Sequence, residues 1–440
     1  MGRRTSPGGP RQPRFPGAEG TEPFRAERGR GEAGRPASER RGHMERRGVF
    51  GRDRRARRRG SDLPLLVEAV FFYLYDVGRS VDLTKVADLV PAHPDLGIAK
   101  RRDTPASLTL PTPLILQLGI PELSKSEGFE RLSSQAKIYE EGAVTIVVRV
   151  KTRLPMSELH GLEEKAVISL GRTLTIAEYA EEGFRMLFEA LTPAVSEPRA
   201  IGDMDRESYL AFCLLECGED PVNFIERNRD YCASLLIGEE PDSSLHDSQI
   251  AATLGRPFSY RVGDLAIFEL DRCLIIDPRG DYEDLLLIAE HANYQLLELR
   301  VLDKLLDTWL DQAEDVLLRM SVGGRRLTRG LIRGRGKVQV KVAHIQALRF
   351  DALFILENLE NSSKIIGDYY LGQIYARLCE IFNTEGWKWS VERRLDTLQD
   401  VYEMVKADSG ESRMMTLEVI FIIVCIIFPI IQIVQVMIGK

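Results

Sequence analysis

The sequence predicts an α+β protein: a mixed α/β amino-terminal head, then a bundle of long helices, then one carboxy-terminal transmembrane helix. Three observations predict it. Between residues 61 and 280 strand-like and helix-like segments interleave, which is the pattern of a mixed domain. From Tyr282 to Met320 leucines recur at helical spacing. From Val419 to Ile438 the text VIFIIVCIIFPIIQIVQVMI carries no formal charge.

Residues 1–60 hold 18 Arg, no Lys and seven acids, with much Gly and Pro and no apolar run. Such a segment buries no core and is expected to be a disordered leader. It lacks the apolar region of a secretory signal, and its acids count against an Arg-rich transit peptide. A start at Met44 is an alternative reading. The remainder of the chain carries a net charge of −18, so its surface is not a broad nucleic-acid-binding one.

The head is expected to span residues 61–280. Glu68–Asp76, Pro113–Leu118 and Ala143–Val150 read as strands, rich in aromatic or β-branched residues. Ser80–Val90 reads as a helix capped by its serine, and 91–111 as an irregular loop. Ile176–Leu191 is an amphipathic helix. Tyr209–Cys217 followed by Pro221–Ile237 repeats the strand-then-helix order, and Leu265–Leu270 and Cys273–Asp277 form a last pair of strands.

The bundle is expected over residues 281–415. Its first helix is Tyr282–Met320. Val342–Leu359, Lys364–Phe382 and Ser390–Ala407 follow, with coiled-coil-like seams and a corner at Trp387 and Trp389. Residues 416–438 are the expected anchor. Its 20 uncharged residues make a helix of about 30 Å, the thickness of a bilayer core. Pro429, Gln432 and Gln435 are what a buried-core reading of the same stretch rests on.

No motif of known chemistry stands out. The six cysteines form no C-x-x-C pair and the six histidines no H-x-x-x-H pair, so no metal is expected. A phosphate-binding Walker loop is excluded because Leu331 stands at its first Gly and Val338 at its hydroxyl position. The local outlier is Arg319–Lys341, whose basic residues no acid interrupts. Arg325, Arg326, Arg329, Arg333, Arg335 and Lys337 suit phosphate, on RNA or on anionic lipid. The competing reading is a loop docked on the acidic body. Glu298, Arg300, Glu357, Asn358, Asn361, Lys364 and Asp368 read as surface pairs, or as a polar network across the bundle.

Several stretches resemble a known family: Leu265–Asp277, Ala292–Arg300 (ANYQLLELR), Leu302–Leu310, Arg349–Leu378, Trp387, Leu398–Tyr402 and Leu417–Glu418. In this order they are similar to the membrane-anchored family named for being required for meiotic nuclear division. The resemblance implies no enzyme, no cofactor and no catalytic residues. It implies a membrane-anchored scaffold tethering ribosomes or other RNA-containing partners. The missing signal sequence puts the head on the cytoplasmic side of a bacterial inner membrane, or on the matrix side of a mitochondrial one. Two further readings stand beside it: a membrane-tethered structural homo-oligomer, and an enzyme acting on a nucleotide or phosphoester.

Overall fold

Strand β1, Leu65–Asp76, carries apolar side chains on both of its faces, and that decides the architecture. Val67, Ala69, Phe71 and Tyr75 enter one core, while Val70, Phe72 and Leu74 enter another. A strand apolar on both sides needs cover on both. The computed structural model describes residues 64–92, 96–98, 113–118, 129–165, 167–169, 172–240, 244–323, 350, 352–353, 356–357, 368–404, 421–422 and 427.

Seven further strands join β1 in one sheet. They are β3 (Leu96–Ile98), β4 (Leu114–Leu118), β5 (Phe129–Ile138), β6 (Ala143–Leu154), β10 (Arg206–Glu216), β11 (Leu265–Phe268) and β12 (Arg272–Ile276). The order is β11-β12-β10-β1-β6-β5-β4-β3. Neighbours are antiparallel except β10 and β12, which run parallel. A parallel pair needs a crossover. Helices α3 (Pro221–Arg227), α4 (Arg229–Ile237) and α5 (Asp247–Leu254) lie on it. Two small ribbons pair β2 (Ser80–Val81) with β9 (Val195–Ser196), and β7 (Val167–Ser169) with β8 (Arg172–Leu174).

The first face is covered by α2 (Ile176–Leu191), started by a reciprocal Thr175–Glu178 capping box, and by α3 and α4. The second face is covered by α6 (Glu283–Gly323) and α7 (Tyr369–Phe382). Residues 384–404 are also helical and are labelled α8. Leu299, Leu302 and Leu306 of α6 build a smaller core with Ala352, Leu356 and with Val391, Leu395 and Leu398 of α8. One helix therefore serves two cores. The boundary expected near residue 280 runs through this packing, because Leu286, Ala289, Leu296 and Leu297 finish the core that β1 begins.

The α+β class stands, and several elements differ from expectation. The helix expected at Ser80 starts after Asp82, whose carboxylate accepts from the Lys85 amide at 3.0 Å; its range is Leu83–Leu89, here α1. Ser80 is in β2 instead. Pro221–Ile237 is two helices, broken at Asn228, whose side-chain amide donates to the Phe224 carbonyl. The corner before the last helix is at Asn383, in the left-handed region at φ 53°, and Trp387 and Trp389 lie inside α8. Most of Val342–Leu359 lies outside the described residues.

The single-pass membrane expectation is corrected. Among the described residues no helix is long and apolar enough to cross a membrane. Of residues 416–438 only Phe421, Ile422 and Ile427 are described.

Candidate functional site

The six basic residues expected to contact phosphate, Arg325, Arg326, Arg329, Arg333, Arg335 and Lys337, lie outside the described residues. What the fold assembles instead is a line of buried polar groups where α6 crosses β1, β5 and β6. An amphipathic reading of α6 turns Glu290, His291, Asn293, Gln295 and Glu298 outward; all five are buried. They are buried because α6 is packed on both sides, against the sheet and against α7 and α8.

At the start of α6, Arg149 of β6 holds Glu283 through two guanidinium nitrogens at 2.6 and 2.7 Å. Glu68 of β1 stands 3.6 Å from Arg149 and accepts from the Tyr282 hydroxyl at 2.5 Å. Two turns on, Glu290 is 1% exposed. It pairs with Lys137 of β5 and accepts from the Tyr139 hydroxyl at 3.1 Å. Paired charges and filled lone pairs are the condition on which such groups stay inside.

Next come rings. Tyr139 stacks on Tyr294 at 4.7 Å between centroids. His291 lies beside Tyr294 and Tyr375, at 6.2 and 6.0 Å. The Tyr375 hydroxyl donates to Gln295. Among the described residues His291 Nε2 has no hydrogen-bond partner, and burial pulls its pKa from 6.5 down to about 4. The unfolded chain then takes up this proton first as pH falls. Stability is lost between about pH 6.5 and 4, by about 3 kcal/mol from this group. In His291→Phe the urea midpoint is expected to fall less than in the parent between those pH values. Parallel pH profiles would show that the buried ring accepts the proton without cost.

The last turn of this line is the most unbalanced. Glu298 is 7% exposed and faces Asp76 at the end of β1 and Glu141 in the β5–β6 turn. Burial and these two carboxylates push its pKa well up, opposed by Arg199. Asp76 is ion-paired with Arg199, yet burial raises its pKa to about 6. Outside this line, Asp205 binds Lys304 of α6 at 2.9 Å, and Glu207 pairs with Arg300. Of the groups read from sequence as surface pairs or as a network across the bundle, Arg300 is exposed and pairs with Glu207, whereas Glu298 is buried. Asp368 caps α7 by accepting from the Leu371 amide at 3.0 Å.

A cavity of about 150 Å³ opens beside β11 and the start of α6, with Tyr260, Asp277, Asp281 and Tyr370 in its wall. Its carboxylates hold their own loops: Asp277 accepts from the Arg279 and Asp281 amides, and Asp264 from those of Tyr260 and Arg261. Among the described residues no group of three His, Cys, Asp or Glu is arranged to hold a metal ion. No spacing in the sequence points to the α6 line, since Asp76, Arg199 and Glu298 are remote from one another along the chain. The nearest signal is the run HANYQLLE, polar residues set in a helix that has apolar ones on every side.

Residues 67–283, from β1 to the first residue of α6, match the family described as "Uncharacterized protein MJ0711, N-terminal domain". The uncharacterized protein MJ0711 of Methanocaldococcus jannaschii is 28% identical to the chain over 203 residues. That stretch is 46% of this chain and 58% of the archaeal protein, so the chain spans less than two thirds of its relative. No solved structure matches. The resemblance to the meiotic-division family is therefore corrected: the matched family is a different, uncharacterised one.

Proposed function

We propose that the protein is a non-enzymatic adaptor that presents its basic segment to a phosphate-rich partner, RNA or a ribosome. The observation that carries this reading is the course of α6. It is a single helix of 41 residues, about 60 Å long. Its first half is clamped to the sheet by Arg149, Lys137 and the apolar residues of the second core. Its last residue, Gly323, directly precedes Gly324 and the run Arg325 to Lys337. A firmly seated helix that leads into a cluster of arginines is a suitable arm for a polyanion, and guanidinium forks fit phosphate oxygens.

The test is co-sedimentation of the full chain with ribosomes, at low and high salt and with RNase. Binding is expected to fall steeply with salt and to be lost when Arg325, Arg326, Arg329 and Arg333 are changed to Glu. Unchanged binding in that variant removes the segment from the reading. A structural oligomer is the second reading, favoured by the exposed Phe350 and Trp389 around the smaller core. A sedimentation-equilibrium mass equal to that of one chain counts against it.

A further inference from the structure

The loop that enters β11, residues 259–264, is fixed by its own hydrogen bonds. The Asp264 carboxylate accepts from the Tyr260 amide at 2.9 Å, from the Arg261 amide at 3.0 Å and from the Ser259 hydroxyl at 2.9 Å. Gly263 closes the turn at φ 94°, where a side chain would be strained. Phe258, just before the loop, exchanges two backbone hydrogen bonds with Ala266 of β11, both at 2.8 Å. A loop held this firmly is preorganised for a partner. Its apolar side chains face water: Val262 is 94% exposed and Tyr260 62%. Tyr369, at the start of α7, is 82% exposed. Its neighbour Tyr370 packs on Tyr260, 5.0 Å between ring centroids. Scattered exposed apolar residues are ordinary, whereas several at the mouth of one cavity mark an interaction surface.

The cavity they frame is the one of about 150 Å³ beside β11. That is below the roughly 300–1,000 Å³ of small-molecule and cofactor sites, so it suits a single side chain. Its charge selects which one. Asp264, Asp277, Asp281, Asp284 and Asp368 line it. Among the described residues the cations in the wall are Arg261 and Arg279. The backbone amides that hold Asp264, Asp277 and Asp368 fix their direction without cancelling their charge. The rim already shows the chemistry it favours. The Arg261 guanidinium lies 5.6 Å from the centre of the Tyr260 ring and donates to Asp281 at 3.2 Å. Planar guanidinium stacks on aromatic rings and forks onto carboxylates, which an ammonium does less well.

We propose that this cavity and the loop beside it dock a basic segment of a partner protein, with one arginine side chain entering the cavity and the flanking peptide lying on Tyr260, Val262 and Tyr369. The site is separate from the basic segment of the chain itself. Asp284 and Leu285, at the start of α6, line the cavity, whereas Arg325 follows the far end of that helix, about 60 Å away. Loss of either activity therefore leaves the other in place.

The test is fluorescence anisotropy of a labelled tetra-arginine amide titrated with the full chain. Affinity is expected to fall about tenfold in Tyr260→Ala and in Asp281→Asn, since one removes the ring and the other a carboxylate. Glu226→Gln, which removes an exposed carboxylate from α3, should bind as the parent does. Tetra-lysine amide should bind more weakly than the arginine probe. An equal loss in Glu226→Gln and Asp281→Asn, or none in Tyr260→Ala, would mean general attraction to an acidic surface and would overturn the proposal. A mass above that of one chain which drops in Tyr260→Ala assigns the occupant to a second copy and overturns the partner. Should the variants not fold, the Val262 methyl signals of the parent are followed by NMR. Their movement on adding the arginine probe supports the docking site, and signals that stay in place overturn it.

Discussion

A chain ended at Gly280 is expected not to fold cooperatively, although it contains every strand of the sheet and almost all of the stretch that matches the family model. The second face of the sheet carries Val70, Phe72, Leu74, Val147, Tyr209, Ala211, Phe268 and Ile275. Their cover is Leu286, Ala289, Leu296 and Leu297 of α6 and Leu371, Ile374, Leu378 and Phe382 of α7. Each large apolar side chain left in water forgoes about 1.5–3 kcal/mol. Several such losses exceed the whole stability of a domain, about 5–15 kcal/mol. Urea unfolding followed by circular dichroism should show a sharp transition for residues 61–404 and none for 61–280. A sharp transition in the shorter fragment would mean that the sheet closes its second face by itself.

Arg149→Ala is expected to be the most damaging single substitution, at about 3–5 kcal/mol, because it strands buried charge rather than merely removing a pair. Arg149 bridges β6 to α6 through Glu283 and stands against Glu68 of β1. Its loss leaves two carboxylates facing each other at the point where α6 meets the sheet. The side chains are about a quarter exposed or less, which places the cost toward the lower end. Arg149→Lys should recover only part of it, since one ammonium cannot reproduce two parallel bonds. Replacing Arg149, Glu68 and Glu283 together by Met or Leu should restore most of the stability. A triple variant as unstable as the single one would show that the charges, not the packing, hold α6 in place.

Much of the head was legible because its strands are apolar on both faces. Val144, Ile146, Val148 and Val150 of β6 and Phe71, Phe72 and Leu74 of β1 leave little room for another assignment. Strand β5 was not anticipated. Its text, FERLSSQAKI, alternates Leu132, Ser134, Ala136 and Ile138 inward, and the buried Ser134 is made acceptable by Tyr179, 2.9 Å away on α2. A partner 45 residues distant leaves no local mark. The length of α6 was legible from its leucines, whereas the burial of its polar residues was not. Periodicity assigns a polar residue to water, and here three layers of protein take the place of water. The same reason hid the pairing of Asp76 with Arg199, which exists only once β1 and the connection from β9 to β10 have met.

The dual membership of α6 also sets an order of events during synthesis. The sheet is complete in sequence at Ile276, but the last residue sealing its second face is Phe382 of α7. Roughly a hundred residues separate them, on the order of 5–20 s at ribosomal speed. For that interval a newly made head shows an oily, ready-paired sheet to whatever surrounds the exit tunnel. Chaperones that recognise open apolar surface should therefore engage this protein late, when its strands are already made, and let go when α7 arrives.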